Sequence, residues 1–281
     1  MNPGSFPEPL TADAATGDLP EMARLAANYS TSADGYAEFW SPVIRPVARR
    51  MLETLPWDGA RRVLDVGTGT GALLPDIQAF APTAHVVGID RSAGMLALAA
   101  RDGVRLALMD APRLGLRPGA FDVAVMTFVL FHLPDPAAAL AELRRVLRPD
   151  GGVGVATWAE DPLPAAGTMW DATLDEWGAW DPSPPPARRD NLMDTPEKLA
   201  ALLVIAGLRP RRVWIEPVEH QWDAARYFGL RTRFGTSKRK LESLDAPKRE
   251  AFLDRMRERL RELAPPDFLY RAAAVCAVAA R

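Results

Sequence analysis

A strict alternation of short apolar runs with longer amphipathic runs, between residues 63 and 158, narrows the possible folds of this chain more than any other pattern. The short runs predict buried strands at 63–66, 85–89, 104–109, 121–128 and 152–158. The longer runs predict helices at 72–80, 92–101 and 136–147. Because strands that alternate with helices pair in parallel through right-handed crossovers, the pattern predicts an open α/β sheet. Such a sheet binds ligands outside the carboxyl ends of its strands.

Beyond residue 158 the pattern predicts additions around this sheet. They are a helix carrying Trp170, Leu174 and Trp177, a proline-rich loop at 182–186, a helix capped by Thr195 and ended by Gly207, strands at 211–218 and 272–280, and an amphipathic helix between these strands. We therefore predict one domain over residues 21–281, preceded by a flexible tail over residues 1–20. The domain divides into an N-terminal cap (21–61), a ligand-binding core (62–158) and two cap segments (159–194 and 219–265).

The charge balance and the rare residue types argue against several classes of protein. The chain has 34 Lys and Arg against 36 Asp and Glu, and the net charge of −2 disfavours a dedicated nucleic-acid binder. The lone cysteine, Cys276, excludes an intramolecular disulfide, and the three histidines lack the spacing of metal ligands. The sequence shows neither a signal-peptide pattern nor a run of ~18 apolar residues. We therefore expect a cytoplasmic protein without a metal and without membrane or nucleic-acid partners, in an oligomeric state left open.

The segment LDVGTGTG carries the strongest functional signal. It follows a predicted strand and precedes a predicted helix, and Gly67, Gly69 and Gly71 let the backbone adopt positive φ and approach a ligand closely. The segment also satisfies the G-x-G-x-x-G/A fingerprint of nicotinamide enzymes, with Asp90 lying 23 residues after Gly67. An NAD-type oxidoreductase is therefore one alternative. Asp65 argues against it, because a carboxylate there opposes a pyrophosphate but suits an ammonium or sulfonium charge.

Further signatures follow this loop in order. Asp110 ends the third predicted strand, and the fourth reads FDVAVMTFVLFHL before LRPDGG leads into the fifth. Together with the glycine loop and Asp90, these residues resemble the class I S-adenosylmethionine-dependent methyltransferases, in particular those acting on small molecules. The resemblance covers residues 29–158 well and the last strands loosely. It implies a Rossmann-like α/β fold, in which a seven-stranded mixed sheet with an antiparallel last strand carries helices on both faces and helical caps. It also implies S-adenosylmethionine as cofactor and S-adenosylhomocysteine as product.

The resemblance implies a role for each of several residues. The methionine moiety would contact Asp65, Gly67, Thr68, Gly69 and Gly71, and the ribose hydroxyls would contact Asp90, with Arg91 beside it. The adenine would contact Met95, Met109, Asp110 and Ala111, the amino group and sulfonium would lie near Thr127 and Phe128, and Tyr29 and Tyr36 would fold over the cofactor. The alternative for each acid is an ordinary helix cap or turn residue.

Two histidines are candidates for a general base. His132 follows the strand expected nearest the transferred methyl, and an imidazole titrates near neutral pH, so it suits removal of an acceptor's proton. Its alternative role is to shape the loop. His220, next to Glu219 at the end of a predicted strand, is a second candidate.

The acceptor is expected to contact residues outside the common core. Trp40, Trp158 and Trp170 would line an apolar pocket under a lid, although a satellite core under a lid helix would use tryptophans in the same way. Arg231 and Arg233 would meet an anionic acceptor, and their alternative is a solvated helical face.

These patterns together predict an S-adenosylmethionine-dependent methyltransferase. The expected acceptor is a small organic molecule methylated at oxygen or nitrogen, with carbon left open. Three alternatives are an NAD-type oxidoreductase, a methyltransferase acting on RNA or protein, and a protein that binds the cofactor without transferring methyl.

Overall fold

A seven-stranded mixed sheet forms the centre of the protein. The computed structural model describes residues 20–100, 104–185 and 190–281. Its strands are β1 (Arg62–Val66), β2 (His85–Asp90), β3 (Val104–Leu108), β4 (Phe121–Thr127), β5 (Leu147–Glu160), β6 (Arg209–Gln221) and β7 (Leu269–Ala280), in the order β3-β2-β1-β4-β5-β7-β6. Strands β1 to β5 pair in parallel, and β7 runs antiparallel to both β5 and β6. The predicted fold class is therefore confirmed.

Helices surround the sheet. They are α1 (Pro20–Thr31), α2 (Ala33–Gly35), α3 (Ser41–Leu52), α4 (Leu74–Phe80), α5 (Ala93–Ala99), α6 (Pro136–Val146), α7 (Ala165–Glu176), α8 (Pro196–Ile205), α9 (Ala224–Arg233), α10 (Gly235–Glu242) and α11 (Ala246–Glu262). A π-helical turn (Tyr36–Trp40) and 3₁₀ turns (Leu130–His132, Asp190–Leu192 and Pro265–Phe268) complete the regular structure. The predicted cap at Thr195 is confirmed, because its hydroxyl accepts a hydrogen bond from the Lys198 N–H. None of the helices in the described ranges combines the length and apolar character needed to cross a bilayer.

Several predicted boundaries are corrected by pairing across the sheet. Strand β5 begins at Leu147 because that residue already pairs with Phe121. Strands β6 and β7 pair along their whole length, so both exceed the predicted ranges. The amphipathic helix expected within 219–265 is α11, and two further helices, α9 and α10, precede it. Gly235, with φ of 70°, starts α10. Residues 1–19 of the expected tail and residue 186 of the expected loop lie outside the described residues, and Pro20 belongs to α1.

The last strand also holds the chain's lone thiol. Cys276 is completely buried, and β7 places it between Ala156 of β5 and Trp214 of β6. Burial raises the pKa of this thiol to about 12, and the nearby charge of Glu216 acts in the same direction.

Helix α1 lies across the edge of the sheet where β2 ends. The hydroxyls of Ser30 and Ser92 are 2.7 Å apart, and a Cβ on Gly94 would lie 2.6 Å from the Ser30 carbonyl oxygen. The helices α1 and α5 therefore touch through their backbones. The side chain of Asn28 ties α1 to the cap by exchanging two hydrogen bonds with Ser183.

Candidate functional site

A cleft opens at the carboxyl ends of β1, β2, β3 and β4, beneath α1. It encloses about 740 Å³, including the part that opens to solvent. Among the residues predicted to bind the cofactor, those that line it are Tyr29, Tyr36, Gly67, Gly69, Asp90, Arg91, Met95, Met109, Asp110, Ala111, Thr127 and Phe128. The structure thus brings together residues from four strand ends and from the N-terminal cap.

The glycine turn after β1 is fixed by the neighbouring strand. The N–H groups of Gly67 and Thr68 both donate to the Ile89 carbonyl, at 2.8 and 2.9 Å. Gly67 has φ of 74°, and a Cβ there would collide with Val129. A Cβ on Gly69 would meet only the ring of Tyr36, at 3.9 Å, so this glycine faces the open cleft. The turn therefore presents bare backbone to a ligand.

Asp90 anchors the turn and still has capacity for a ligand. Its Oδ2 accepts from the Gly69 N–H at 2.9 Å, and its Oδ1 accepts from the Ser92 N–H at 2.8 Å. Burial raises the pKa of Asp90, and these backbone hydrogen bonds oppose the rise. Because a carboxylate has about four lone-pair sites, and the backbone of Arg91 is a third hydrogen-bond partner, Asp90 keeps capacity to accept from a ligand. The side chain is therefore suited to a pair of adjacent hydroxyls.

Asp65 lies behind the turn instead of lining the cleft. Its residue is 1% exposed, and its Oδ2 accepts from the Thr68 hydroxyl at 2.7 Å. Its Oδ1 is buried and accepts no hydrogen bond from any residue in the described ranges. Burial raises the pKa of Asp65 to about 7, the Thr68 bond opposes the rise, and the charge of Asp90 adds to it. A positive charge nearby would stabilise the ionised form of this carboxylate and lower its pKa.

Thr68 and Gly71 also do not line the cleft. Thr68 is buried by its contact with Asp65, and the Gly71 N–H donates to the Thr68 carbonyl at 2.9 Å. Both residues therefore support the turn from the side away from the cleft, whereas direct contact with the cofactor was predicted.

The far end of the cleft is apolar with a charged rim. Met95 is buried and faces the cleft together with Met109 and Ala111. At the rim, Nη2 of Arg91 donates to Oδ2 of Asp110 at 2.8 Å. This end therefore suits a flat heterocycle, with the ion pair of Arg91 and Asp110 at its rim.

A tyrosine–histidine contact lies at the other end of the cleft. The Tyr29 hydroxyl is 2.9 Å from Nε2 of His132, and the two rings meet edge to face at 5.6 Å. The ring of Tyr36 lies 6.0 Å from that of Tyr29. Burial and the proximity of Tyr29 raise the pKa of Tyr36 far above its usual value, so its phenol stays protonated. His132 is therefore the side chain here that is suited to accepting a proton.

The chain turns sharply just before His132. Phe128 has φ of 57°, a left-handed conformation that a bulky residue rarely adopts, and its N–H donates to the Ala156 carbonyl at 2.7 Å. This turn ends β4 at Thr127 and directs the following residues over the cleft.

Three predicted acceptor contacts are corrected by ion pairs and packing. Arg231 pairs with Asp171, and Arg233 pairs with Glu38, so neither is an unmatched cation facing the cleft. His220 of β6 packs against Trp222, just after this strand, and does not line the cleft. Burial lowers the pKa of His220, with the charge of Arg226 adding to the effect.

The predicted tryptophans pack behind the cleft or in a separate core, and none of the three lines the cleft. Trp158 is buried against Phe128 and Trp40, so the two tryptophans stand behind Phe128, which itself lines the cleft. Trp170 is completely buried and meets Phe228 and Phe252 edge to face. Its assignment to a substrate pocket is therefore wrong, and it belongs to a satellite core.

Replacing Trp170 by alanine should lower the free energy of unfolding by about 3–5 kcal/mol, because the removed ring is fully packed. Denaturant unfolding checks this expectation. Trp180→Ala is the matched control, since Trp180 is 61% exposed and its removal should change stability by less than about 0.5 kcal/mol. If the Trp170→Ala protein were as stable as this control, Trp170 would not be a core residue and its assignment to the acceptor site would be restored.

A second, smaller cavity lies on the outer side of the Tyr29–His132 contact. It encloses about 420 Å³, again including space open to solvent. It is lined by Leu25, Asn28, Tyr29, His132, Pro185, Phe234, Gly235, Thr236 and Arg239. It therefore connects α1, the loop before residue 186 and the start of α10.

Sequence reasoning missed several residues of both cavities. Met22 and Leu25 line the cleft from α1, and Val129 and Leu133 line it from the segment after β4. Their apolar spacing was visible, but it predicts only a buried face and not what that face covers. Phe234 lines the second cavity at the junction of α9 and α10, two helices that were not predicted.

Comparison with known proteins gives matches over the core and over most of the chain. Residues 64–154 match a family described as a methyltransferase domain. A malonyl-[acyl-carrier protein] O-methyltransferase of Geobacter sulfurreducens is 33% identical over 223 residues, which are 75% of this chain and 78% of that protein. A demethylmenaquinone methyltransferase of Thermus thermophilus is 36% identical over 128 residues, which are 43% of this chain and 58% of that protein.

Among solved structures, a [4+2]-cyclase has a similar fold. It is 20% identical, with a TM-score of 0.55, and the alignment covers 93% of this chain and 94% of that one. A likeness at this level of identity shows the shared fold alone.

Proposed function

Because the chain belongs to the class I S-adenosylmethionine-dependent methyltransferases, we propose that it methylates a small organic molecule at oxygen or nitrogen. The observation that carries this proposal is the position of His132 Nε2, which faces the cleft beside a phenol hydroxyl at 2.9 Å. A base at this point suits an acceptor that must lose a proton. Family membership sets aside the NAD-type alternative, and the O-methylation named for the Geobacter relative is consistent with an oxygen acceptor.

The residues of the cleft fit the cofactor. We assign the ribose hydroxyls to the open lone pairs of Asp90 and the adenine to the apolar end around Met95 and Met109. The methionine end belongs at the glycine turn, where Gly69 exposes its backbone and the unpaired Oδ1 of Asp65 favours a nearby cation. This assignment pairs the carboxylates with the hydroxyl groups and the positive charge of S-adenosylmethionine.

The bound cofactor supplies a methyl group on a positively charged sulfur, which is already reactive. The protein's own residues position the acceptor, exclude water and remove a proton. Orientation alone supplies about 7–11 kcal/mol in well-aligned systems, and a general base adds ~10²–10⁴-fold. Neutral His132 takes the acceptor's proton at Nε2, while α1 and Tyr36 cover the cleft and limit the entry of water.

Calorimetry with S-adenosylhomocysteine, followed by a mass-shift screen of phenols, amines and carboxylic acids with S-adenosylmethionine, tests the function. We expect tight binding and a gain of one methyl group on a small acceptor. Tight binding without a methylated product in any class would instead favour a protein that uses the cofactor without transferring its methyl. The fold shared with a [4+2]-cyclase makes that outcome worth measuring.

The affinity for S-adenosylhomocysteine should rise about tenfold between pH ~6 and pH ~8. The raised pKa of Asp65, about 7, means that this carboxyl is largely protonated in the free protein at pH ~6. The cationic ammonium of the ligand favours the ionised form, so binding at low pH must release a proton. Calorimetry at both pH values measures the change. Asp65→Asn is the control that should flatten the profile, and an unchanged profile in this variant would remove Asp65 from the cofactor site.

The raised pKa of Asp65 also makes the stability of the ligand-free protein depend on pH. The folded state holds the Asp65 proton more tightly than the unfolded chain, in which the pKa of this carboxyl is 3.8. The resulting stabilisation is fully present below pH 3.8 and is lost as the pH rises through about 7.

A further inference from the structure

The contact between Tyr29 and His132 divides two cavities. Both residues line the cofactor cleft, and both also line the second cavity. Their side chains therefore form the partition between the two spaces. A molecule in the second cavity meets the reaction centre at this partition.

We propose that the second cavity binds a phenolic methyl acceptor, whose hydroxyl replaces the Tyr29 hydroxyl at Nε2 of His132. The inference rests on the proposed function, because it places the methyl donor in the adjacent cleft. Tyr29 is itself a phenol that the fold holds at Nε2, at 2.9 Å. The structure thus shows that a phenol oxygen fits at this position with hydrogen-bond geometry.

The walls of the second cavity suit an aromatic ring. Leu25, Pro185 and Phe234 supply apolar surface. The Phe234 ring lies 6.3 Å from the Tyr29 ring, a separation at which aromatic side chains pack favourably. A ring that displaces Tyr29 therefore enters surroundings that already hold aromatic neighbours.

The charges around the cavity favour an uncharged acceptor. Among the described residues that line it, Arg239 is the one with a permanent positive charge. Its Nε and Nη2 donate to the two carboxylate oxygens of Asp181 at 2.9 and 2.7 Å, and both side chains are largely buried. Because this charge is matched inside the protein, a neutral phenol is favoured over a carboxylate.

The transfer step balances with these groups alone. The acceptor oxygen forms a bond to the methyl carbon, the bond from that carbon to sulfur breaks, and its electron pair stays on sulfur. The phenol proton passes to Nε2 of His132, which later releases it to water. The products are an aryl methyl ether and S-adenosylhomocysteine.

Nuclear magnetic resonance of the histidine rings tests the inference without turnover. The chain has three histidines, so ¹⁵N-histidine labelling gives few signals, and His132→Asn assigns the one that matters. Protein saturated with S-adenosylhomocysteine is titrated with phenol, toluene and benzoate. We expect phenol to shift the His132 signal, toluene at the same concentration to leave it in place, and benzoate to bind more weakly than phenol. The signals of His85 and His220 serve as internal controls.

Tyr29→Phe sharpens the test, because it keeps the ring and removes the competing hydroxyl. The phenol concentration for half-saturation should fall about fivefold, the factor expected from losing one net hydrogen bond. An unchanged half-saturation, an unmoved His132 signal with phenol, or an equal response to toluene would overturn the inference. Failure to bind S-adenosylhomocysteine in the first place would instead overturn the proposed function, so the two failures are distinguishable.

Discussion

Replacing Asp90 by alanine should weaken the binding of S-adenosylhomocysteine by about 10²–10⁴-fold, because two charge-assisted hydrogen bonds to the ribose are lost. The change also releases the N–H groups of Gly69 and Ser92, so the glycine turn loses its anchor as well as its ligand contact. Calorimetry gives the affinity, and circular dichroism shows that the fold is retained.

Asp122 provides the matched control for this variant. Its Oδ2 accepts hydrogen bonds from the N–H groups of Arg61 and Arg62 at the start of β1, away from the cleft lining. Asp122→Ala likewise removes backbone hydrogen bonds, together with an ion pair to Arg148, and should leave the affinity for S-adenosylhomocysteine unchanged. If Asp90→Ala bound as tightly as Asp122→Ala, the ribose assignment would be wrong.

His132→Ala should lower kcat by about 10²–10⁴-fold with little change in the affinity for S-adenosylhomocysteine. A neutral imidazole is the active form of a histidine base, so turnover of the wild type should rise with pH across the neutral range. This rise should disappear in the variant. Steady-state kinetics as a function of pH, with the best acceptor from the screen, measures both effects.

His220→Ala is the control of the same residue type, because His220 packs against Trp222 and faces neither cavity. Its kcat and pH profile should match those of the wild type. A His132→Ala enzyme that kept the wild-type profile, with only a small loss of kcat, would assign His132 to the shape of the loop.

The cofactor edge of the sheet was predictable because its signals are local. Gly67 and Gly69 follow a short, mostly apolar run, and Asp90 ends the next one. Once parallel pairing is expected, the ends of these strands must meet at one edge. The carboxylates and glycines could therefore be brought together without knowledge of any distant contact.

The acceptor side was not predictable because its residues depend on partners far away in the chain. Arg231 and Arg233 appeared available for an anion, but their partners Asp171 and Glu38 lie 60 and 195 residues away. Similarly, the helical spacing around Trp170 indicates a buried face without saying what covers it. Net charge and periodicity cannot reveal such distant contacts. These contacts decide which residues line a pocket and which belong to the satellite core.

The buried thiol of β7 gives the protein an internal reporter. Since Cys276 is the chain's lone cysteine and is fully buried on the central strand β7, a thiol reagent reaches it only when the packing around this strand opens. The rate of labelling thus measures how often this part of the core opens. One reagent, with no engineered label, then distinguishes a variant that has lost a binding contact from one whose sheet no longer holds together.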